Sequence, residues 1–136
     1  MLVLCDELLL KLSAAGVGCN IGSTFVGAPA YADDIVLICP TPSALRLLLK
    51  ICDDFACEYD VMFNADKSKL LICRSSKQCK VVRDIKGRPF HIVGRDIEQV
   101  DSFSHLGHII TSDFSDTEDL RYRRNRFVGQ VTSAAA

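Results

Sequence analysis

The sequence predicts a mixed α/β fold of the α+β kind, with an acidic β-hairpin, a long packing helix, a small antiparallel sheet and a C-terminal helix. Three observations predict it. Leu45, Leu48, Leu49, Cys52, Phe55, Ala56 and Tyr59 recur at helical spacing and form one apolar stripe. Short apolar runs punctuated by Gly22, Gly87, Gly94 and Gly107 have the lengths of strands and turns. Residues 116–132 are strongly charged and read as a closing helix. Apolar residues make up 49% of the chain and charged ones 24%, a globular balance that excludes disorder.

The elements follow in order. Leu2 to Ala15 reads as a helix that Gly16 stops. Val17 to Ile21 and Thr24 to Val26 read as strands around Gly22-Ser23. Ala28 to Tyr31 and Ile35 to Cys39 read as two more, joined through Ala32-Asp33-Asp34. Thr41 is placed to cap the next helix, with Pro42 at its first position, where a missing N–H costs nothing. That helix runs to Tyr59, with Arg46, Lys50, Asp53, Asp54 and Glu58 mostly opposite the stripe. Lys69 to Cys73 reads as a strand and Ser75 to Lys80 as a polar loop. Short strands are expected near Val81, Phe90 to Val93, Ile97 to Val100 and His105 to Ile110. The chain shows no internal repeat and no low-complexity linker.

Several function classes drop out. The apolar start, Leu2 to Leu12, is cut by Asp6, Glu7 and Lys11, so nothing approaches the about 20 apolar residues of a membrane span. The same acids make it a poor signal peptide, so an intracellular setting, cytoplasmic or nuclear and not secreted, is expected. Seven cysteines without a C-x-x-C pair do not make a zinc ribbon or finger and read as reduced, mostly buried thiols. Net charge is −1, yet residues 64–95 carry +7, residues 96–120 carry −7 and residues 121–136 carry +4. A basic block beside an acidic one can hold phosphate locally, and an ordinary solvated surface accounts for the charges equally well.

Tyr31-Ala32-Asp33-Asp34 carries the sharpest chemistry. Two adjacent carboxylates at a tight turn between apolar strands repel each other, and a divalent cation relieves that repulsion. Two-metal phosphoryl transfer uses such an arrangement. An Asp-Asp turn also serves as a plain hairpin turn, because Asp tolerates unusual backbone angles. His105-x-x-His108 has metal-ligand residue types, but with no acid or Cys at matching spacing it reads as a pair of sheet histidines.

Tyr31-Ala32-Asp33-Asp34-Ile35-Val36-Leu37 resembles the motif C hairpin of reverse transcriptases. Ala15-Gly16-Val17-Gly18-Cys19-Asn20-Ile21-Gly22 is similar to the segment that leads into it in LINE-type (non-LTR) retrotransposon enzymes. Phe63-Asn64-Ala65-Asp66-Lys67-Ser68-Lys69 resembles motif D, and Val100-Asp101-Ser102-Phe103-Ser104-His105-Leu106-Gly107 resembles motif E, the primer grip. Arg123-Arg124-Asn125-Arg126-Phe127-Val128-Gly129-Gln130 is similar to the start of the thumb. Their order and spacing cover nearly the whole chain. The resemblance implies a partial polymerase palm over residues 1–112 and the start of a thumb over 113–136.

It also implies roles. Asp33 and Asp34 would hold Mg2+, and Lys67 would assist the leaving pyrophosphate, with Lys69 as the neighbouring alternative match. Phe103, Leu106 and Gly107 would form the primer grip. Lys69, Arg121, Arg123, Arg124 and Arg126 would contact nucleic acid. The implied partners are an RNA template, a DNA primer and dNTP, with no membrane. The sequence departs from the family pattern in carrying no motif A, motif B or fingers, in Pro29 within the first hairpin strand, and in His105 where the grip often has Tyr. The chain is therefore expected to be inactive alone and to self-associate. The alternative is a non-catalytic retrotransposon relic acting as a nucleic-acid-binding module.

Overall fold

A computed structural model of the chain describes residues 2–73 and 88–135, with the backbone alone for residues 2–4. The expected loop at Ser75 to Lys80, the strand near Val81, and Gly87 lie outside the described residues. The described chain is α+β and divides into two compact units, residues 2–67 with 88–97, and residues 68–73 with 98–135.

The first unit opens with α1 (Leu2–Ala14), which Gly16 ends at φ +71. Two hairpins follow, β1 (Asn20–Ile21) with β2 (Thr24–Phe25) and β3 (Ala30–Tyr31) with β4 (Asp34–Ile35). Backbone bonds prolong both beyond these short ladders: Val26 N–H to Cys19 O, Val36 N–H to Pro29 O and Ile38 N–H to Gly27 O. Pro29 accepts from Val36 but has no N–H to return, so the ladder is weakened one residue before Ala30. Phe25 lies against Gly18 and Gly27, where a Cβ would stand 2.9 and 2.6 Å from its ring.

The helix α2 (Pro42–Tyr59) has the bounds that its pattern predicts. Thr41 is extended and its hydroxyl accepts from Ala44 N–H at 3.2 Å. Asp60 closes the helix in the left-handed conformation, donating its N–H to Ala56 O. Leu48, Leu49, Cys52, Phe55 and Ala56 are buried as expected, Leu45 and Tyr59 only partly, and Ala44 joins the buried face unforeseen. Leu8 and Leu12 of α1 are buried with them. The polar seam between these helices is closed by Lys11, which pairs with Glu58 at 2.6 Å and stands over the Phe55 and Tyr59 rings. The Tyr59 hydroxyl donates to Glu7.

On its other side α2 meets the hairpin β6 (His91–Ile92) with β7 (Arg95–Asp96). Phe90 and Ile92 are buried there. Arg46 lies 4.4 Å from the centre of the Phe90 ring and donates to Pro89 O, while Asp53 accepts from Val93 N–H at 2.7 Å. The strand expected over Ile97 to Val100 is found at Glu98–Val100, and pairing with His91–Ile92 adds a short strand at Arg95–Asp96 that the sequence did not announce.

The second unit contains β5 (Lys69–Leu71), β8 (Glu98–Val100), β9 (Ser102–His105), β10 (His108–Thr111) and α3 (Thr117–Ala135). β5 pairs with β8 in parallel, Lys69 opposite Glu98, so the expected antiparallel sheet is only part of the truth. His105 to Ile110 is not one strand. It folds back at Leu106-Gly107, and β9 pairs with β10 antiparallel from Thr111↔Ser102 to His108↔His105. Leu106 and Gly107 have φ +51 and +77, the backbone of a two-residue hairpin loop. Among the described residues every sheet is two-stranded, and no helix is long and apolar enough to cross a membrane.

Candidate functional site

The acidic hairpin turns on two residues, Ala32 and Asp33, with Asp34 already paired opposite Tyr31. Ala32 takes φ +52, a left-handed conformation that costs a residue with a Cβ about 1–2 kcal/mol. Strain of that kind is held only where the flanking ladder imposes it. Tyr31, Asp33 and Asp34 are all exposed, and neither carboxylate bonds to another described side chain. The two acids are therefore both solvent-facing at this end of the hairpin, with hard oxygen donors of the type that Mg2+ prefers. Among the described residues no group of three or more His, Cys, Asp or Glu side chains is arranged to hold a metal ion.

Lys67 follows a structured turn. Asn64 Oδ1 accepts the Lys67 N–H at 3.1 Å, an Asx-type turn that fixes the backbone there. Arg95 grips the preceding Asp66 with both ends of its guanidinium, at 3.0 and 2.8 Å. The Lys67 ammonium is exposed, and no hydrogen bond or ion pair among the described residues joins it to Asp33 or Asp34. The Arg95–Asp66 clamp spans 29 residues and had no local signal in the sequence.

Lys69, in the second unit, is taken up by Glu98 across the parallel ladder. Phe103 is half-buried opposite Ile110, while Leu106 and Gly107 form the exposed loop of the β9–β10 hairpin. His105 and His108 close that loop as a cross-strand pair, as a pair of sheet histidines should. His108 does not stand free, since Arg123 Nη2 lies 2.6 Å from its Nδ1.

Asp119 organises this corner. One carboxylate oxygen accepts Ile109 N–H at 2.8 Å, and the other accepts Arg123 Nε at 2.8 Å with His108 3.6 Å away. The Ile109 N–H is the chief reason its carboxyl is held below the ordinary carboxylate range; Arg123 adds to this and desolvation opposes it. Sequence reasoning missed Asp119, although Asp119 and Arg123 are four apart on a helix in the favourable order, a legible signal. The turn before α3 holds a second such group. Thr111 Oγ1 donates to Asp113 at 2.7 Å and accepts Ser115 N–H at 3.0 Å, and the Thr111 hydroxyl is the main cause of the lowered Asp113 carboxyl.

Of the four arginines expected to meet nucleic acid, Arg123 is thus engaged internally. Arg121, Arg124 and Arg126 are exposed on α3 and bond to no described side chain. No protein-family model, no curated protein and no solved structure matches the chain.

Proposed function

We propose that the chain is a palm segment of an RNA-directed DNA polymerase of the LINE type, with Asp33 and Asp34 as its metal-binding carboxylates. The observation that carries the reading is the Tyr31-Ala32-Asp33-Asp34 turn, in which Asp33 stands in a strained two-residue hairpin loop and Asp34 directly follows it in the ladder, both exposed. Their donor chemistry fits Mg2+, which is commonly held by one or two carboxylates, substrate phosphates and water. When bound, the ion supplies neutralisation of charge on the reacting phosphate oxygens. Lys67, exposed after its Asx turn, would give a proton to the leaving pyrophosphate, and the Leu106-Gly107 loop would support the primer end. RNA template, DNA primer and dNTP are the partners of that activity, within the cell.

A graft tests the reading. Residues 15–111 would replace the matching segment of an active LINE-type reverse transcriptase. Primer extension on an RNA template with Mg2+ is expected to persist and to vanish in the graft's Asp33→Ala variant. A correctly folded graft that does not extend a primer would sink the proposal. The second reading is a non-catalytic nucleic-acid-binding module. It is favoured by the exposed arginines of α3, together with the absence of a third acid beside Asp33 and Asp34 among the described residues. Its signature is salt-sensitive binding of nucleic acid by the chain alone, with no extension.

A further inference from the structure

The docking of α3 decides which of its faces is free. Asp119 and Arg123, one turn apart, are tied to Ile109 and His108 of the β9–β10 hairpin. That contact fixes the rotation of the helix about its axis. Beyond Asp119 every helix residue is exposed, and every charged side chain is an arginine. Helical spacing then sorts them. Arg124 falls in a row with Leu120, Phe127 and Val131, at i, i+4, i+7 and i+11, an apolar row with one charge in it. Arg121, Asn125 and Gly129 form another row at i, i+4 and i+8, and Tyr122 and Arg126 lie beside it, also one turn apart. Gly129 leaves open space, with nothing within 4 Å of where a Cβ would be.

We infer that the Arg121–Tyr122–Asn125–Arg126–Gly129 face of α3 binds single-stranded nucleic acid, with an unpaired base stacked on Tyr122 and phosphates held by Arg121 and Arg126. The inference rests on the nucleic-acid reading above and assigns it a face and a mechanism. Three properties select this occupant. The charge beyond the first turn is wholly positive, which complements a phosphate backbone. An aromatic ring between arginines offers a stacking plane that tolerates any base. The gap at Gly129 lets a sugar–phosphate chain approach the helix. Of the two acids in α3, Asp119 is consumed by Arg123 and Ile109, and Glu118 stands one turn before Tyr122 at the end of the face. Arg123 belongs to the hairpin anchor, and Arg124 belongs to the apolar row.

Fluorescence anisotropy of the full chain at low salt tests this, with labelled oligothymidylate, oligouridylate and a blunt DNA duplex as probes. Stacking on one ring corresponds to roughly fivefold to a hundredfold in affinity. Tyr122→Ala is expected to lose that factor on both single strands, keep its duplex affinity, and recover in Tyr122→Phe. Arg126→Ala is expected to make the salt slope on single strands shallower by about 0.7. Single-strand binding unchanged in Tyr122→Ala, or lost equally on the duplex, overturns the stacking face while leaving nucleic-acid binding intact. No binding of any probe at low salt overturns both. Helical circular dichroism of the variants excludes misfolding, since neither Tyr122 nor Arg126 is a buried residue.

Discussion

At the scale of the residue, the acidic hairpin depends on side chains that never touch a carboxylate. Gly27 is buried, and a Cβ there would stand 2.6 Å from Phe25 Cε2 and 3.0 Å from the Cys19 nitrogen. Backbone on one side and a stiff ring on the other leave little room to yield. Gly27→Ala is therefore expected to destabilise the chain by about 1–3 kcal/mol, read as a lower urea midpoint with an unchanged slope. An unshifted midpoint would show that the Phe25 ring moves aside freely. The thiols give a second residue-scale expectation. Cys52 is buried, and burial raises its thiol to about 12; Cys39, half-buried, is raised to about 11 by burial first and Cys19 second. Only the thiolate is alkylated, so at neutral pH the exposed Cys57 should react with iodoacetamide well before Cys52 and Cys39. Mass mapping of the labelled sites measures the order. Early modification of Cys52 in folded protein would contradict the buried face of α2.

At the scale of the element, α3 joins the β9–β10 hairpin through carboxylates, which makes the joint sensitive to acid. Asp119 and Asp113 both have lowered folded-state pKa values, so the unfolded chain binds more protons as pH falls. Their stabilisation is present above the ordinary carboxylate pKa of 3.8 and is lost as pH falls through the lower folded values. The protection factor of the Ile109 amide, whose N–H meets Asp119, should therefore drop between about pH 5 and about pH 2. Asp119→Asn should begin with less protection and lose less of it. Equal losses in the two proteins would assign the acid response elsewhere. The same joint holds Arg123 against His108 and so sets which arginines of α3 stay without an internal partner.

At the scale of the whole molecule, the described strands form ladders of two, so each strand has an edge without a ladder partner. Large apolar side chains are exposed near several of them, including Tyr31, Ile38, Leu106 and Ile110, and again along α3 at Leu120, Phe127 and Val131. Short, open strand edges beside apolar surface recruit other chains. The purified chain is expected to self-associate in a concentration-dependent way, which size exclusion with light scattering measures. A monodisperse monomer at every concentration would mean that these surfaces are better shielded than their exposure suggests. Self-association and nucleic-acid binding respond differently to salt. Raising ionic strength weakens phosphate contacts and leaves apolar ones in place, so one salt series separates the two behaviours.

The sequence by itself determined what neighbours within one helical turn decide. The limits of α2, its Thr41 cap, the stop at Gly16 and the placing of Asp33-Asp34 at a hairpin tip all follow from local periodicity and turn chemistry, and the structure agrees with them. The Leu106-Gly107 turn escaped because its first residue is not an Asn or Asp that favours positive φ; Gly107 alone marked it. Tertiary structure decided the rest. The parallel pairing of Lys69–Leu71 with Glu98–Val100, the Arg95 grip on Asp66 and the burial of Ala44 depend on segments that are distant along the chain. The division of labour among the arginines has the same origin. Arg121, Arg123, Arg124 and Arg126 are alike in sequence, and only the meeting of α3 with β10 ties Arg123 to His108 and leaves Arg121 and Arg126 beside Tyr122 with no described side-chain partner. Local propensity acts through bonded neighbours, whereas the worth of a charge depends on which surface folding brings against it.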